Sequence, residues 1–206
     1  MANSTGDADP APAPGTPEAA SDRARWNARW ESRSEPTEPS SWLRGVSELP
    51  PGGKVLDVAG GDGRNAVWLA ERGFDVTIVD VSDTALQLAR ARARDAGVPL
   101  STQRRDLATD GLIGDGWHVV LVFHYLQRDL FADLGWRLRP TGLLIASLAT
   151  RRNRERHDRP PPRYLLDEGE LLHLIAGFDV VRYEEGWGPE GRHEARLVAR
   201  RPLTGP

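Results

Sequence analysis

Short apolar runs that lack alternating polar residues recur through the middle of the chain. They predict strands at residues 54–58, 76–80, 119–123 and 143–148, with a shorter strand at residues 100–105. Such runs are typical of strands that are covered on both faces, and helices between them supply the crossover connections of a parallel sheet. The hydrophobic pattern therefore predicts an α/β domain built on a mostly parallel sheet.

Helices are predicted in the segments that separate these strands. The first covers residues 64–72, and the second begins after Ser82, a residue type that caps helix N-termini, and stops at Gly97. A third helix, which ends before Pro140, shows amphipathic spacing at Leu130, Phe131, Leu134 and Leu138. Strands and helices thus alternate, as they do in doubly wound sheets.

The N-terminal end of the chain has a different character. Residues 1–20 are rich in Pro, Ala and acids, and this composition predicts a disordered tail. Trp26 and Trp30 lie four residues apart, on one face of a predicted helix that runs to about Arg33. A second short helix is predicted to begin at Ser41.

The C-terminal end adds an antiparallel element. After an arginine- and proline-rich loop at residues 151–163, the pattern predicts a helix at residues 167–176. Two strands follow, at residues 178–186 and 194–201, and are expected to pair antiparallel at one edge of the sheet. The predicted domain covers residues 21–202.

Composition limits the classes of protein that the chain can belong to. With 206 residues and 39% hydrophobic content, the chain can form one well-packed domain with appendages. Cysteine is absent, which excludes disulfide frameworks and thiolate zinc sites and favours a cytoplasmic location. The longest run of aliphatic and aromatic residues, 119–123, is far too short to span a membrane. A net charge of −3 disfavours nucleic acid as a partner.

The stretch "VLDVAGGDGRNAV" contains the first candidate for chemistry, a glycine-rich turn between the first strand and its helix. In doubly wound sheets, ligands lie outside the carboxyl ends of the strands, and this first turn contacts them. Asp57 ends the first strand, and Asp80 ends the second, where a carboxylate can accept hydrogen bonds from both hydroxyls of a ribose. The pairing predicts a ligand that contains adenosine.

The charge of the turn discriminates among adenosine ligands. A dinucleotide would place its pyrophosphate against Asp57 and Asp62, and two like charges at ~4 Å repel by about 4 kcal/mol at an effective dielectric constant near 20. S-adenosylmethionine (SAM) has no phosphate and carries an ammonium and a sulfonium group. The acids therefore favour SAM and disfavour an NAD(P)-binding oxidoreductase.

The same stretch, with the strand after it, resembles motif I of the class I SAM-dependent methyltransferases, whose usual pattern is D-x-G-x-G-x-G. Further segments match in order: "RRDLAT", "GWHVVLVFHYLQRDLF" and "LRPTGLLIASL". The match covers residues 21–200. Within the class, "GRNAVWLAERGFDVTIVD" and "PRYLLDEGELLHLIAGFDVVRYEEG" are most similar to small bacterial tellurite-resistance and thiopurine-type methyltransferases.

The resemblance implies a fold and a set of cofactor contacts. The fold is a Rossmann-like doubly wound sheet of seven strands in the order 3-2-1-4-5-7-6, mostly parallel, with an antiparallel C-terminal edge. Asp80 would bind the ribose hydroxyls, Asp106 the adenine amino group, and the glycine turn the methionyl end of SAM. The residues expected to contact SAM or its product S-adenosylhomocysteine are Asp57, Ala59, Gly61, Gly63, Asp80, Val81, Asp106, Leu107 and Phe123.

Two residues depart from the family pattern. His118 stands where the fourth strand often begins with Asp. Ala59 replaces the first glycine, which is harmless at a negative φ and costs about 1 kcal/mol or more at a positive φ. The sequence "AGGDG" also resembles the "GGGDG" of spermidine synthases, which are aminopropyltransferases. Those enzymes usually lack an acid equivalent to Asp57 and carry a catalytic acid where this chain has "FHYLQ", so that alternative is disfavoured.

Residues at the end of the fourth strand are candidates for contact with the methyl acceptor. Methyl transfer from a sulfonium is an in-line displacement and needs a base only where the acceptor must lose a proton. His124 is the candidate base by its position, and Tyr125 is its neighbour. Both could instead be structural, and a non-catalytic SAM-binding module is an open alternative because methyl transfer requires no obligatory catalytic signature.

The loop "RRNRERHDRPPPR" bears on the acceptor. Its arginines follow the fifth strand, where methyltransferases form a substrate lid, and would suit an anionic small molecule, with RNA contact as the disfavoured alternative. His157 and Asp158 lack a third ligand at suitable spacing, so no metal site is predicted. The expected assembly is a monomer or a homodimer.

Overall fold

A seven-stranded sheet forms the centre of the computed structural model, which describes residues 17–33 and 37–203. The order of the strands across the sheet is β3-β2-β1-β4-β5-β7-β6, which confirms the predicted order. The strands are β1 (Gly53–Val58), β2 (Phe74–Asp80), β3 (Ser101–Arg104), β4 (Trp117–Phe123), β5 (Leu138–Ala149), β6 (Asp179–Trp187) and β7 (His193–Arg200).

Strand pairing places the carboxyl ends of the first strands along one edge of the sheet. β1 lies between β2 and β4 and runs parallel to both, with Asp57 opposite Ile78 and Leu121. β7 runs antiparallel to β5 on one side and to β6 on the other, as the C-terminal pattern predicts. The antiparallel pairing aligns the start of β7 with the end of β5.

Seven helices surround the sheet in the described part of the chain. They are α1 (Pro17–Glu31), α2 (Ser41–Arg44), α3 (Arg64–Ala70), α4 (Asp83–Ala96), α5 (Leu107–Asp110), α6 (Arg128–Arg137) and α7 (Glu170–Leu174). The predicted caps of α4 are confirmed, since the Ser82 hydroxyl accepts from the Ala85 N–H and Gly97 adopts a left-handed conformation with φ of 68°. α5 was not expected from the pattern, and α7 is shorter than the predicted helix.

The start of α1 changes the predicted domain boundary. The predicted tail lies mostly outside the described residues, but α1 already begins at Pro17, so the boundary at residue 20 falls inside this helix. No helix of the described residues is long and apolar enough to cross a membrane.

Two hydrophobic cores cover the two faces of the sheet. On one face, α5, α6 and α7 pack against the alternating residues that include Leu56 and Leu144, all of them buried. On the other face, α2, α3 and α4 pack against residues that include Val55 and Ile145. Burial on both faces explains the unbroken apolar runs of the sequence, because neither face of β1, β4 or β5 meets water.

α1 lies across the carboxyl end of β2. The Ser82 hydroxyl donates to the Asn27 side-chain oxygen at 2.7 Å. The Trp30 indole lies directly over the glycine turn, where a Cβ added at Gly61 would come within 2.6 Å of the ring. The predicted apolar face of α1 therefore packs on the body of the domain and covers the turn at the same time.

Candidate functional site

Asp80 fastens the glycine turn to the end of β2. The Gly61 N–H donates to its Oδ2 at 2.9 Å, and the Ser82 N–H donates to its Oδ1 at 2.8 Å. Burial raises the pKa of Asp80, and these N–H groups oppose the shift. Each carboxylate oxygen can accept a second hydrogen bond, so Asp80 can hold the turn and still bind a hydroxyl.

Asp57 is a buried carboxylate without a partner at the base of the turn. It is 1% exposed, and neither of its oxygens forms a hydrogen bond with the described residues. Burial raises its pKa to about 7, with Arg64 opposing the shift and Asp80 adding to it. Gly60 makes room for the carboxylate, since a Cβ there would lie 2.8 Å from the Asp57 carboxyl group. An unpaired buried carboxylate of this kind suits a cationic ligand.

Asp62 does not share this role, which corrects the expectation from its sequence position. Its Oδ2 accepts hydrogen bonds from the Thr37 hydroxyl at 2.5 Å and from the Arg92 guanidinium at 2.7 Å. The ion pair neutralises Asp62 and ties the turn to α4. The negative charge available to a cationic ligand therefore comes from Asp57.

Ala59 adopts the conformation that the family's glycine would have. Its φ is 52°, in the left-handed region, and Gly61 and Gly63 have φ of 60° and 75°. The left-handed conformation strains Ala59 by about 1–2 kcal/mol, because its Cβ lies close to the neighbouring backbone.

We expect Ala59→Gly to raise the free energy of unfolding by up to about 1 kcal/mol, because relief of left-handed strain exceeds the entropy that glycine adds to the unfolded chain. Chemical denaturation measures this change. Gly63→Ala is the comparison variant and should destabilise the protein, because the added Cβ would lie 2.9 Å from the Ala89 Cβ. A loss of stability in Ala59→Gly would contradict the strain.

The adenosine end of the predicted site is assembled next to Asp80. The Arg105 N–H donates to the Asp80 carbonyl at 2.8 Å, which positions the following residue, Asp106. Asp106 caps α5 by accepting from the Ala108 N–H at 3.0 Å, and Leu107 is buried behind it. Asp106 therefore stands beside Asp80 at the same edge of the sheet.

The other two predicted cofactor contacts, Val81 and Phe123, lie at the ends of β2 and β4. Val81 directly follows Asp80 and is half-buried. Phe123 is buried in the core of the opposite face from Leu107, with its ring centroid 6.4 Å from that of Trp42. Phe123 is the last residue of β4, which runs parallel to β1, and its contact with the cofactor stays a prediction.

His124 follows β4 in a strained conformation and contacts an acid of β7. Its φ is 57°, and its N–H donates to the Ser147 carbonyl at 2.9 Å. The ring, whose side chain is 29% exposed, has its Nδ1 3.4 Å from the Glu194 Oε1. Partial burial lowers the pKa of His124, and the positive charges of Arg192 and Arg64 lower it further. The ring is consequently neutral at neutral pH.

Tyr125 is placed as a hydrogen-bond donor rather than as a base. Its hydroxyl donates to the Gln127 side-chain oxygen at 2.6 Å. Burial raises its pKa, and the negative charges of Asp106 and Asp80 raise it further. The phenol is therefore neutral, and of the two predicted catalytic residues only His124 has the properties of a base.

β7 contributes polar residues that the sequence pattern did not reveal. The Glu194 Oε2 accepts from the Ser147 hydroxyl at 3.0 Å, while its Oε1 has no hydrogen bond. Arg196, on the same face of the strand, is 9% exposed, and its Nε has no partner among the described residues. A narrow pocket beside the His124 ring is lined by Trp42, Arg192, Glu194 and Arg196. The available signal was a pair of charged residues two positions apart, next to apolar residues of the same strand.

The arginine-rich loop is mostly engaged with the protein itself. Ion pairs join Arg151 to Asp167 and Arg152 to Glu155, and the Arg156 guanidinium lies 3.8 Å from the Trp187 ring centroid. His157 contacts the Gly191 carbonyl, and no group of three or more potential metal ligands occurs in the described residues. The cations that line the pocket beside His124 thus come from β7 and the residue before it, not from this loop.

Comparison with known sequences identifies relatives over part of the chain. Residues 55–142 match the family model described as a methyltransferase domain. Hemagglutinin 1 of Eikenella corrodens is 30% identical over 146 residues, which cover 66% of this chain and 47% of that protein. Rat glycine N-methyltransferase is 42% identical over 136 residues, which cover 56% of this chain and 46% of the enzyme. The chain spans about half the length of these relatives.

Solved structures share the fold. TehB of Haemophilus influenzae superimposes with a TM-score of 0.69 at 17% identity, covering 85% of this chain and 67% of TehB. Magnesium protoporphyrin IX methyltransferase of Synechocystis, solved with S-adenosylhomocysteine, gives a TM-score of 0.68 at 18% identity and covers 89% and 99% of the two chains. Residues 55–142 thus match a methyltransferase domain, and the strand order and these neighbours show that the chain shares the fold of the two solved structures.

Proposed function

We propose that the protein transfers a methyl group from SAM to a small-molecule acceptor. The observation that carries the proposal is the unpaired, buried Asp57 carboxylate beside Asp80, at the carboxyl ends of β1 and β2. SAM supplies a methyl group on a sulfonium, which a nucleophile displaces in line. The protein has to bind both reactants, align them and exclude water.

Each part of the cleft has a proposed task in binding SAM. Asp80 accepts hydrogen bonds from the ribose hydroxyls while its carboxylate also holds the turn. Asp106 accepts a hydrogen bond from the adenine amino group. The turn from Asp57 to Gly63 receives the methionyl end, and the Asp57 carboxylate stabilises its positive charge. Trp30, which lies over Gly61, shields this end from water.

We further propose that the acceptor is anionic and that Arg196 binds it. The Arg196 side chain is almost fully buried; its Nη2 donates to the Gly186 carbonyl at 3.3 Å, and its Nε has no partner among the described residues. A buried cation is stable only when it is paired, so an anion in the pocket would satisfy it. Arg192 adds a second positive charge at the same pocket.

Positive charges from other elements also converge near this region. Burial lowers the pKa of Arg29 on α1, and the neighbouring charges of Arg33, Arg159 and Arg192 lower it further. Like charges that depress one another in this way favour the entry of an anion.

The accepting atom is left open among N, O, S and a metalloid. The relatives include a glycine N-methyltransferase and a ubiquinone biosynthesis O-methyltransferase, which use different acceptors. A non-catalytic SAM-binding module is the main alternative. An NAD(P)-binding oxidoreductase is disfavoured by Asp57, and so is an aminopropyltransferase. A cytoplasmic location and a monomeric or homodimeric state are still predictions.

Calorimetry with SAM, S-adenosylhomocysteine and NADH tests the cofactor. We expect both adenosyl compounds to bind and NADH not to bind, and binding of NADH alone would refute the proposal. The release of S-adenosylhomocysteine, followed across amines, thiols, phenols and chalcogen oxyanions, separates an enzyme from a binding module. An active enzyme turns over at least one acceptor class.

The same assay tests the anionic acceptor when each carboxylate-bearing compound is paired with its methyl ester. We expect turnover of the carboxylates and a KM that rises about 10- to 150-fold in Arg196→Gln, because a hydrogen bond to a charged group contributes about 1.5–3 kcal/mol. Arg94→Gln, on the exposed surface of α4, is the control. Equal turnover of acids and esters would place the anion site elsewhere.

A further inference from the structure

Glu194 and His124 form a pair whose role the methyl-transfer proposal leaves unassigned. We propose that Glu194 is a positioning residue that fixes the tautomer of the His124 ring, so that the ring's Nε2 removes a proton from the methyl acceptor. The inference rests on the proposed function only in stating that the proton comes from a methyl acceptor. The arrangement of Glu194 and His124 stands on the geometry of the free protein.

The geometry around the Glu194 carboxylate leaves one oxygen for the ring. The Ser147 hydroxyl donates to Oε2 at 3.0 Å and so holds the carboxylate in place. The buried Oε1 has no hydrogen bond within the described part of the chain, and the His124 Nδ1 lies 3.4 Å from it. In free enzymes, catalytic hydrogen bonds are often long and tighten when substrate binds. An Nδ1–H directed at Oε1 would satisfy both groups.

The backbone of His124 is strained in a way that supports a functional role. A non-glycine residue with a φ of 57° costs about 1–3 kcal/mol, and such residues cluster at active sites. The Ser147 carbonyl accepts the His124 N–H at 2.9 Å, and the Ser147 hydroxyl binds Glu194. One residue of β5 therefore positions both members of the pair.

The charges around the pair determine its protonation. Burial lowers the pKa of His124, and the positive charges of Arg192, Arg64 and Arg33 lower it further. Burial raises the pKa of Glu194, and the charges of Arg192 and Arg196 oppose that shift. A neutral ring has one N–H, and when this proton is on Nδ1 the lone pair is on Nε2.

Methyl transfer and proton transfer are coupled in the proposed step. The acceptor atom forms a bond to the methyl carbon while the bond from that carbon to the sulfonium sulfur breaks, giving neutral S-adenosylhomocysteine. The proton of the acceptor passes to the His124 Nε2, and the resulting imidazolium is stabilised by Glu194. Release of this proton to solvent restores the neutral ring. The step requires an acceptor whose nucleophilic atom carries a hydrogen.

Nitrogen-15 NMR of the imidazole rings tests the pair in the protein without ligands, and the loss of one ring's signals in His124→Gln identifies the resonances. In the natural protein, we expect the Nδ1–H tautomer to predominate at pH 8. In Glu194→Leu, the ring should lose this preference and populate both tautomers. In Glu194→Gln, the amide oxygen can still accept from Nδ1–H and should retain the tautomer.

Glu190→Gln is the matched control, because Glu190 lines the same pocket and no contact of it with the His124 ring is recorded. It should leave both the tautomer and the pKa unchanged. An Nε2–H tautomer in the natural protein, or a Glu194→Leu variant with unchanged tautomer and pKa, would overturn the inference. Neither result depends on SAM binding, so failure of this pair is distinguishable from failure of the proposed function in the calorimetry.

Discussion

Asp80→Ala should lower the free energy of unfolding by about 2–6 kcal/mol and weaken SAM binding about 10- to 150-fold. Its carboxylate accepts from the backbone N–H groups of Gly61 and Ser82. Removal leaves two buried donors unsatisfied, at about 1–3 kcal/mol each, and also removes the charged acceptor proposed for the ribose. Urea denaturation measures the first effect, and calorimetry measures the second.

Two further variants separate these effects. Asp80→Asn keeps one carbonyl oxygen and should lose about half as much stability as Asp80→Ala. Asp75→Ala changes an exposed acid of the same strand and should alter stability by no more than about 0.5 kcal/mol. If Asp80→Ala bound SAM with unchanged affinity, the adenosine would have to lie elsewhere.

Asp57→Asn should stabilise the free protein by about 1–3 kcal/mol at pH 8 and weaken SAM binding about tenfold or more. Burial raises the pKa of Asp57 from 3.8 to about 7. Between these pH values the folded protein binds more protons at this group than the unfolded chain does. The free energy of unfolding therefore falls as pH rises through this window. Above pH 7 the full cost of burying the ionised Asp57 carboxylate is present. Asparagine cannot ionise and so avoids the cost, whereas the cationic ligand loses its partner.

Proton release provides a second measure of the same carboxylate. Near pH 7 about half of the Asp57 side chains are protonated, and a bound cation should lower this pKa. SAM binding should then release about half a proton, which calorimetry detects in buffers of different ionisation enthalpy. Asp57→Asn should abolish the release, and Asp62→Asn should preserve it because Asp62 is paired with Arg92. If Asp57→Asn still released protons on binding SAM, those protons would come from another group.

Features that depend on nearby residues were predictable from the sequence. The strands were predictable as unbroken apolar runs because both faces of the sheet are covered. Ser82 caps the start of α4 with its side chain, and Gly97 caps its end because glycine readily adopts a left-handed backbone. The four-residue helix α5 was not predictable, since one turn has no periodicity. Asp106 makes it possible by capping it.

In the candidate site too, residues fixed by local sequence were predictable, and residues placed by distant segments were not. Asp57 and Asp80 were identified from their positions at strand ends, because parallel strands bring their carboxyl ends to one edge. Glu194 and Arg196 were missed, since their placement depends on β7 pairing antiparallel with β5. That pairing sets Glu194 within reach of His124, a contact between residues far apart in the sequence.

The sequence by itself determined the alternation of strand and helix, the acidic glycine turn and the class of cofactor that this turn suits. Only the tertiary structure decided three further points, because each depends on contacts from distant segments. Ala59 is held at a positive φ by the turn, Asp62 is neutralised by Arg92 of α4, and Asp57 is left buried without a partner. The charge that distinguishes this cleft from a phosphate site is therefore that of the Asp57 carboxylate, neither oxygen of which has a partner among the described residues.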